Sequence, residues 1–106
     1  VLESEYQKRL IKKLNRRFPG CVVLKNDSSY RQGIPDLVIF YRDRWGMLEV
    51  KASEDAPIQA NQPYYIDTLN EMSFAAFIYP ENEEAVLHEL QRALEAYGHS
   101  RALHRE

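Results

Sequence analysis

The sequence predicts an α/β fold of three layers, helix, sheet and helix, with a central mixed sheet and elements in the order α-β-β-β-α-β-α. Three observations carry this reading. Apolar residues recur every four positions at the start of the chain. Two apolar runs in the middle flank a short charged turn. That hairpin is apolar on both faces, with Leu37, Ile39, Leu48 and Val50 on one and Val38, Phe40 and Met47 on the other. A sheet buried on both sides requires helices on both sides.

The first helix is expected over Ser4–Phe18, because Leu2, Tyr6, Leu10, Leu14 and Phe18 form a stripe that Ile11 widens. Pro19-Gly20 ends it, since proline lacks the amide donor and glycine accepts left-handed angles. Cys21–Lys25 is short, apolar and β-branched, hence a strand. A polar loop spans Asn26–Gly33. The runs Asp36–Tyr41 and Trp45–Lys51 read as a hairpin turning at Arg42-Asp43-Arg44. After a loop over Ala52–Asn61, Pro63 suits the first position of a helix reaching about Met72. Ser73–Tyr79 reads as the fourth strand, stopped by Pro80. An amphipathic helix follows from Glu81 or Asn82 to about Tyr97, with Val86, Leu87, Leu90 and Leu94 on one side and Gly98 as its cap. Residues 1–98 thus make one domain, and 99–106 read as a frayed tail.

Composition narrows the function classes. A chain of 106 residues with 44% hydrophobic and 28% charged residues is an ordinary small globular domain. No apolar run approaches a bilayer span, and no signal-peptide pattern opens the chain, so no membrane partner is expected. The single cysteine, Cys21, excludes a disulfide framework and a thiolate metal site, and points to a reducing, cytoplasmic compartment. Net charge is −2, but residues 1–53 carry +5 and residues 54–106 carry −7. A basic face for a polyanion is one reading of that asymmetry; two solvated helices of opposite charge is the other.

The chemistry lies in polar residues placed where strands are otherwise apolar. Aspartate is depleted from strands, and a carboxylate among apolar neighbours is costly unless compensated. Asp36 opens the second strand, while Glu49 and Lys51 close the third. If Arg42-Asp43 is a two-residue turn, Asp36 faces Glu49; with a four-residue loop it faces Lys51. In either register all three side chains emerge on one face. Opposed strand residues stand about 4.5–5.5 Å apart at Cβ, and two carboxylates that close repel unless a proton or cation separates them. A hard cation such as Mg²⁺ suits those oxygens, with the Val50 carbonyl as a third protein ligand. Divalent metal supplies polarisation of a phosphoryl oxygen and activation of water, and Lys51 can orient that water or offset charge in the transition state. Singly, a Pro-Asp pair is turn chemistry and a Glu-x-Lys is a solvated strand rim. Together on one hairpin face they outline phosphodiester hydrolysis.

Gly33-Ile34-Pro35-Asp36-Leu37, then Glu49-Val50-Lys51, with Gln62 eleven residues beyond the lysine, resembles the PD-(D/E)XK nuclease signature. The set is similar in particular to the VRR-NUC branch, found as small stand-alone phage and bacterial proteins, over about Glu3 to Tyr79. The resemblance implies a restriction-endonuclease-like fold and dependence on Mg²⁺ or Mn²⁺. It also implies a homodimer hydrolysing DNA of particular structure, such as branched or four-way-junction DNA, in a bacterial or phage-infected cell. It further implies a first-helix glutamate near the metal. Glu3 and Glu5 are the candidates, and Glu3 is favoured because it falls on the inward stripe. Lys25 matches a lysine at the end of the first strand, and Gln62 matches a glutamine that touches the active-site carboxylates or DNA. One departure stands out, Glu54 and Asp55 where stand-alone relatives carry glycines and small or basic residues.

The remaining candidates concern nucleic acid. Tyr30 and Arg31 can stack on or grip a strand, and the basic stripe of the first helix, Lys12 and Arg16 included, is a candidate phosphate track. Each also reads as an ordinary exposed side chain. His88, His99 and His104 read as surface residues and Cys21 as a small buried hydrophobe. The expected function is therefore a metal-dependent DNA endonuclease. The competing class is a nuclease-fold module that binds DNA or protein without cutting.

Overall fold

A computed structural model describes residues 2–95 of the chain. Helix α1 covers Glu3–Arg17, followed by strands β1 (Val22–Lys25), β2 (Leu37–Tyr41) and β3 (Arg44–Val50). Helix α2 covers Gln62–Met72, β4 covers Ala75–Ile78, and a 3₁₀ turn at Pro80–Asn82 leads into α3 (Glu83–Glu95). The order is α-β-β-β-α-β-α. The sheet runs β1-β2-β3-β4, antiparallel through β3, with β4 parallel to β3, so it is mixed. Among the described residues no helix is long and apolar enough to cross a membrane. The expected cap at Gly98, the tail and two of the histidines lie outside the described residues; His88 is exposed.

The hairpin register settles on the shorter turn. Tyr41 pairs with Arg44 and Leu37 with Leu48, so the turn is Arg42-Asp43, and the same ladder extended one step sets Asp36 opposite Glu49. Arg42 adopts φ +59°, the left-handed region, and its guanidinium lies 4.8 Å from the Tyr41 ring centroid.

Alternation along the strands creates two unlike faces. Leu37, Ile39, Tyr41, Leu48, Val50 and Ile78 join Tyr6, Leu10 and Leu14 of α1, Phe18 at its C-cap, and Leu87, Leu90 and Leu94 of α3 in one core. Side chains of this size stabilise by about 1.5–3 kcal/mol each when fully buried. Phe18 meets Tyr41 edge-on, with ring centroids 5.2 Å apart. Helix α3 lies so close to β3 that a Cβ on Gly46 would stand 2.8 Å from Leu90 Cδ1. The opposite face, which carries Asp36, Val38, Phe40 and Glu49, is covered by α2 alone. That helix packs against β3 and β4 and has no buried side chain. Val22, Leu24 and Phe40 therefore remain exposed on the β1–β2 side, Phe40 to 44%. The three-layer expectation holds, with the third layer incomplete.

Several element ends differ from expectation, each for a local reason. Leu2 precedes α1 and is exposed, so the apolar stripe starts at Tyr6. Ser73 does not extend β4: its N–H caps α2 at the Leu69 carbonyl and its hydroxyl donates to the Trp45 carbonyl. Tyr79 leaves β4 because its N–H donates to Asn82 Oδ1 in the 3₁₀ turn, which delays α3 to Glu83. Cys21 lies just outside β1, packed against the core with its thiol toward the Leu14 carbonyl.

Part of the charge asymmetry is satisfied within the fold. Glu83, buried at the start of α3, accepts from the Tyr6 hydroxyl at 2.9 Å and from Lys13 Nζ at 2.6 Å. Arg17 Nε donates to Gln91 Oε1 at 2.9 Å. A buried carboxylate demands such partners. Hence Lys13 and Arg17 of the basic helix face α3, while Lys12 and Arg16 stay exposed.

Candidate active site

The ends of β2 and β3, the loop before β2 and the start of α2 enclose a cleft of about 720 Å³. It is lined by Glu3, Asp36, Glu49, Lys51, Pro57 and Gln62 together with Ser28, Ser29, Gln32, Gly33, Ile34 and Gln59. The backbone of the loop is tied down before Asp36. Asn26 N–H donates to the Asp36 carbonyl at 2.8 Å, continuing the β1–β2 ladder, and Asn26 Nδ2 donates to the Pro35 carbonyl at 2.8 Å. Gly33 has φ +92°, and a Cβ there would fall 2.5 Å from Asn61 Cβ, so only glycine lets this loop close on the start of α2.

Asp36 is half-buried, and its Oδ2 accepts from Val50 N–H at 2.8 Å. This side chain takes the place of a ladder bond at the strand end. Because N–H and C=O of one extended residue point to the same side, the Val50 carbonyl also faces the Asp36 strand. Lys51 N–H turns the other way, to the Ile78 carbonyl at 2.9 Å, closing the sheet on the β4 side.

Glu49 is only 3% exposed and Lys51 only 7%. Gln62, the first residue of α2, connects them: its Nε2 donates to Glu49 Oε2 at 2.8 Å, and its Oε1 accepts from Lys51 Nζ at 2.9 Å and from Gln59 N–H at 2.9 Å. Lys51 Nζ also donates to the Pro57 carbonyl at 2.9 Å and stands 3.7 Å from Glu49 Oε2. An ammonium has three hydrogens, so two are committed and one remains beside Glu49 Oε2.

Glu49 Oε1 is different. It is buried and has no hydrogen-bond donor. Its carboxyl neighbour, Asp36, can only accept when ionised. Burial, and after it the Asp36 charge, push the Glu49 carboxyl up to about 8, against the pull of Lys51. Asp36 is raised as well, by burial, opposed by the Val50 N–H, the proton on Glu49 and Lys51. The pair therefore holds one proton between two acids, the situation that a divalent cation replaces. Two hard oxygens, an orphaned buried acceptor and a nearby carbonyl are the donor set that Mg²⁺ or Mn²⁺ takes.

Glu3 lines the cleft, its carboxyl raised by burial and by the Asp36 charge. Glu5 instead accepts from Leu2 N–H at 3.4 Å and stands outside the lining. Among the described residues no group of three or more His, Cys, Asp and Glu is spaced to hold a metal ion unaided. Lys12, Arg16 and Lys25 do not line the cleft; Lys25 pairs with Leu37, so alternation turns it to the other face from Asp36. Tyr30 and Arg31 line a neighbouring cavity that shares Ile34 with the cleft. Glu54 and Asp55 are exposed and lie outside the lining.

Sequence reasoning missed Pro57, Gln59 and Asn26, which act through backbone groups or brace the loop. Asn26 alone left a signal, a polar residue directly after β1 where the ladder would continue. No family model, curated protein or solved structure matches this chain, and the family resemblance therefore rests on its motifs.

Proposed function

We propose that this protein is a metal-dependent DNA endonuclease whose centre is Asp36, Glu49 and Lys51, with Gln62 positioning the last two. The buried, donor-less Glu49 Oε1 beside the Asp36 carboxyl carries the proposal. Asp36 and Glu49 would hold Mg²⁺ or Mn²⁺, aided by the Val50 carbonyl, with Glu3 at the rim as a further acid. When bound, such an ion supplies Lewis acidity toward a phosphodiester and its attacking water. Lys51 presents a positive charge to the cleft, fixed by Pro57 and Gln62, where it offsets charge on the phosphorane-like transition state. Gln62 bridges the Glu49–Lys51 ion pair, accepting from Lys51 Nζ and donating to Glu49 Oε2, with the two charges 3.7 Å apart.

A preference for branched or four-way-junction DNA, and a homodimer, belong to the same reading through the motif resemblance. Val22 and Phe40 are cross-strand partners that supply exposed apolar surface for a second copy.

The test incubates the protein with linear duplex, single-stranded, flap and four-way-junction DNA in Mg²⁺ or Mn²⁺. Cleavage is expected with metal, and Asp36→Ala should reduce it to background. Activity that survives Asp36→Ala refutes the assignment. Binding without cleavage of any substrate leaves the silent nuclease-fold module instead.

A further inference from the structure

Beside the cleft, the loop before β2 carries a feature that phosphodiester hydrolysis does not use. Tyr30 is 85% exposed, yet its backbone is fixed. Tyr30 N–H donates to the Asp27 carbonyl at 3.2 Å, and Ile34 N–H donates to the Arg31 carbonyl at 3.3 Å. Asp27 Oδ1 accepts from Ser29 N–H at 2.9 Å and from the Ser29 hydroxyl at 2.6 Å. The ring thus stands on a braced turn. Next to it, Arg31 Nη1 donates to the Tyr65 hydroxyl of α2 at 3.2 Å, which holds the guanidinium against the second wall. Tyr64 meets Tyr65 edge-on at 5.2 Å.

Asn26, Asp27, Tyr30, Arg31 and Ile34 line an open surface cavity of about 420 Å³, within the range of small-ligand pockets. It borders the catalytic cleft, because Ile34 lines both. We infer that this cavity receives an unpaired DNA base next to the scissile phosphate, stacked on Tyr30 beside the Arg31 guanidinium. An aromatic ring and a planar cation are the two side chains on which bases stack without regard to sequence. Asp27 in the same wall disfavours a phosphate there and suits the amino edge of a base. A base inside a duplex has both faces covered by its neighbours and cannot enter, so the pocket selects DNA with an unpaired nucleotide at the cut. The inference takes the position of the scissile phosphate from the endonuclease reading; the stacking itself does not depend on cleavage.

The two are separated by measuring binding in the uncleaving Asp36→Ala chain. The probes are a blunt duplex and the same duplex with a short unpaired arm bearing a fluorescent purine analogue at its first unpaired position. The arm should tighten binding about tenfold, the worth of one base–aromatic stack, and quench the analogue. Adding Tyr30→Ala should remove both effects without changing the melting temperature, and Tyr30→Trp should retain them. The inference fails if Tyr30→Ala binds and quenches the armed probe as before, or if neither probe binds. A chain that cuts DNA while its arm preference ignores Tyr30 would lose this inference alone. One that shows Tyr30-dependent stacking but never cuts would lose the endonuclease reading, and with it the placement beside a cut, while the base-stacking site stands.

Discussion

Replacing Glu49 by glutamine should stabilise the metal-free protein, increasingly so as pH rises from about 4.5 to about 8. A carboxyl raised from its ordinary 4.5 to about 8 is protonated in the folded state where the unfolded chain has already released its proton. The unfolded state then binds fewer protons, so stability falls as pH rises. The loss is absent below about pH 4.5 and complete above about pH 8. At about 1.4 kcal/mol for each tenfold change in proton affinity, its ceiling is about 5 kcal/mol. Glutamine at this position keeps the shape, accepts from Gln62 Nε2 and donates from its own amide to Asp36, which satisfies the orphaned position. The value of about 8 already includes the attraction of Lys51, which in the variant keeps Pro57, Gln62 and the Asp36 field. With the ceiling discounted by about half for relaxation and water entry around a buried charge, the gain is about 2 kcal/mol above pH 8, shifting the melting temperature of a domain this size by roughly 10 °C. The assay is thermal denaturation of both proteins in chelator near pH 5 and near pH 8.5, about 3 units below and about 0.5 unit above the folded-state value. Added Mg²⁺ should then lift the wild type at the higher pH and leave Glu49→Gln unmoved, since binding to the native state alone stabilises it. A variant no more stable than wild type at high pH, or equally more stable at both, would refute the shared-proton description of this pair.

Two further outcomes follow from the packing around the centre. Gln62→Leu removes the partner of Glu49 Oε2, Lys51 Nζ and Gln59 N–H together. It should cost about 1–3 kcal/mol in urea denaturation and slow single-turnover cleavage far more than it weakens DNA binding. Gly46→Ala places a Cβ 2.8 Å from Leu90 Cδ1 and should destabilise by about 1–3 kcal/mol; unchanged stability would show that the Leu90 side chain or α3 can give way at no cost.

How much of this was legible in the sequence depends on the range of each interaction. Alternation in β2 and β3 put Asp36, Glu49 and Lys51 on one face whichever way the turn closed. The register stayed open because the turn carries Arg42 at positive φ rather than the Asn-Gly or Asp-Gly that announces a tight hairpin. Gln62 was reachable only through a motif, since it meets Glu49 from thirteen residues away across a loop without pattern. The Glu83 contacts with Tyr6 and Lys13 join residues at opposite ends of the chain, where periodicity carries no information. A basic stripe was visible on α1, but the half of it that answers α3 became apparent only with both helices placed.

The helix that starts with Gln62 buries none of its side chains, and it is fastened at its far end by Ser73 to β3 and by Asn70 to β4. A helix anchored by hydrogen bonds rather than buried side chains favours local opening of α2 ahead of the α1–α3 core. The duration over which Glu49 and Lys51 stay aligned is accordingly tied to this one helix, so under the endonuclease reading cleavage would lapse at temperatures where the α1–α3 core is still folded.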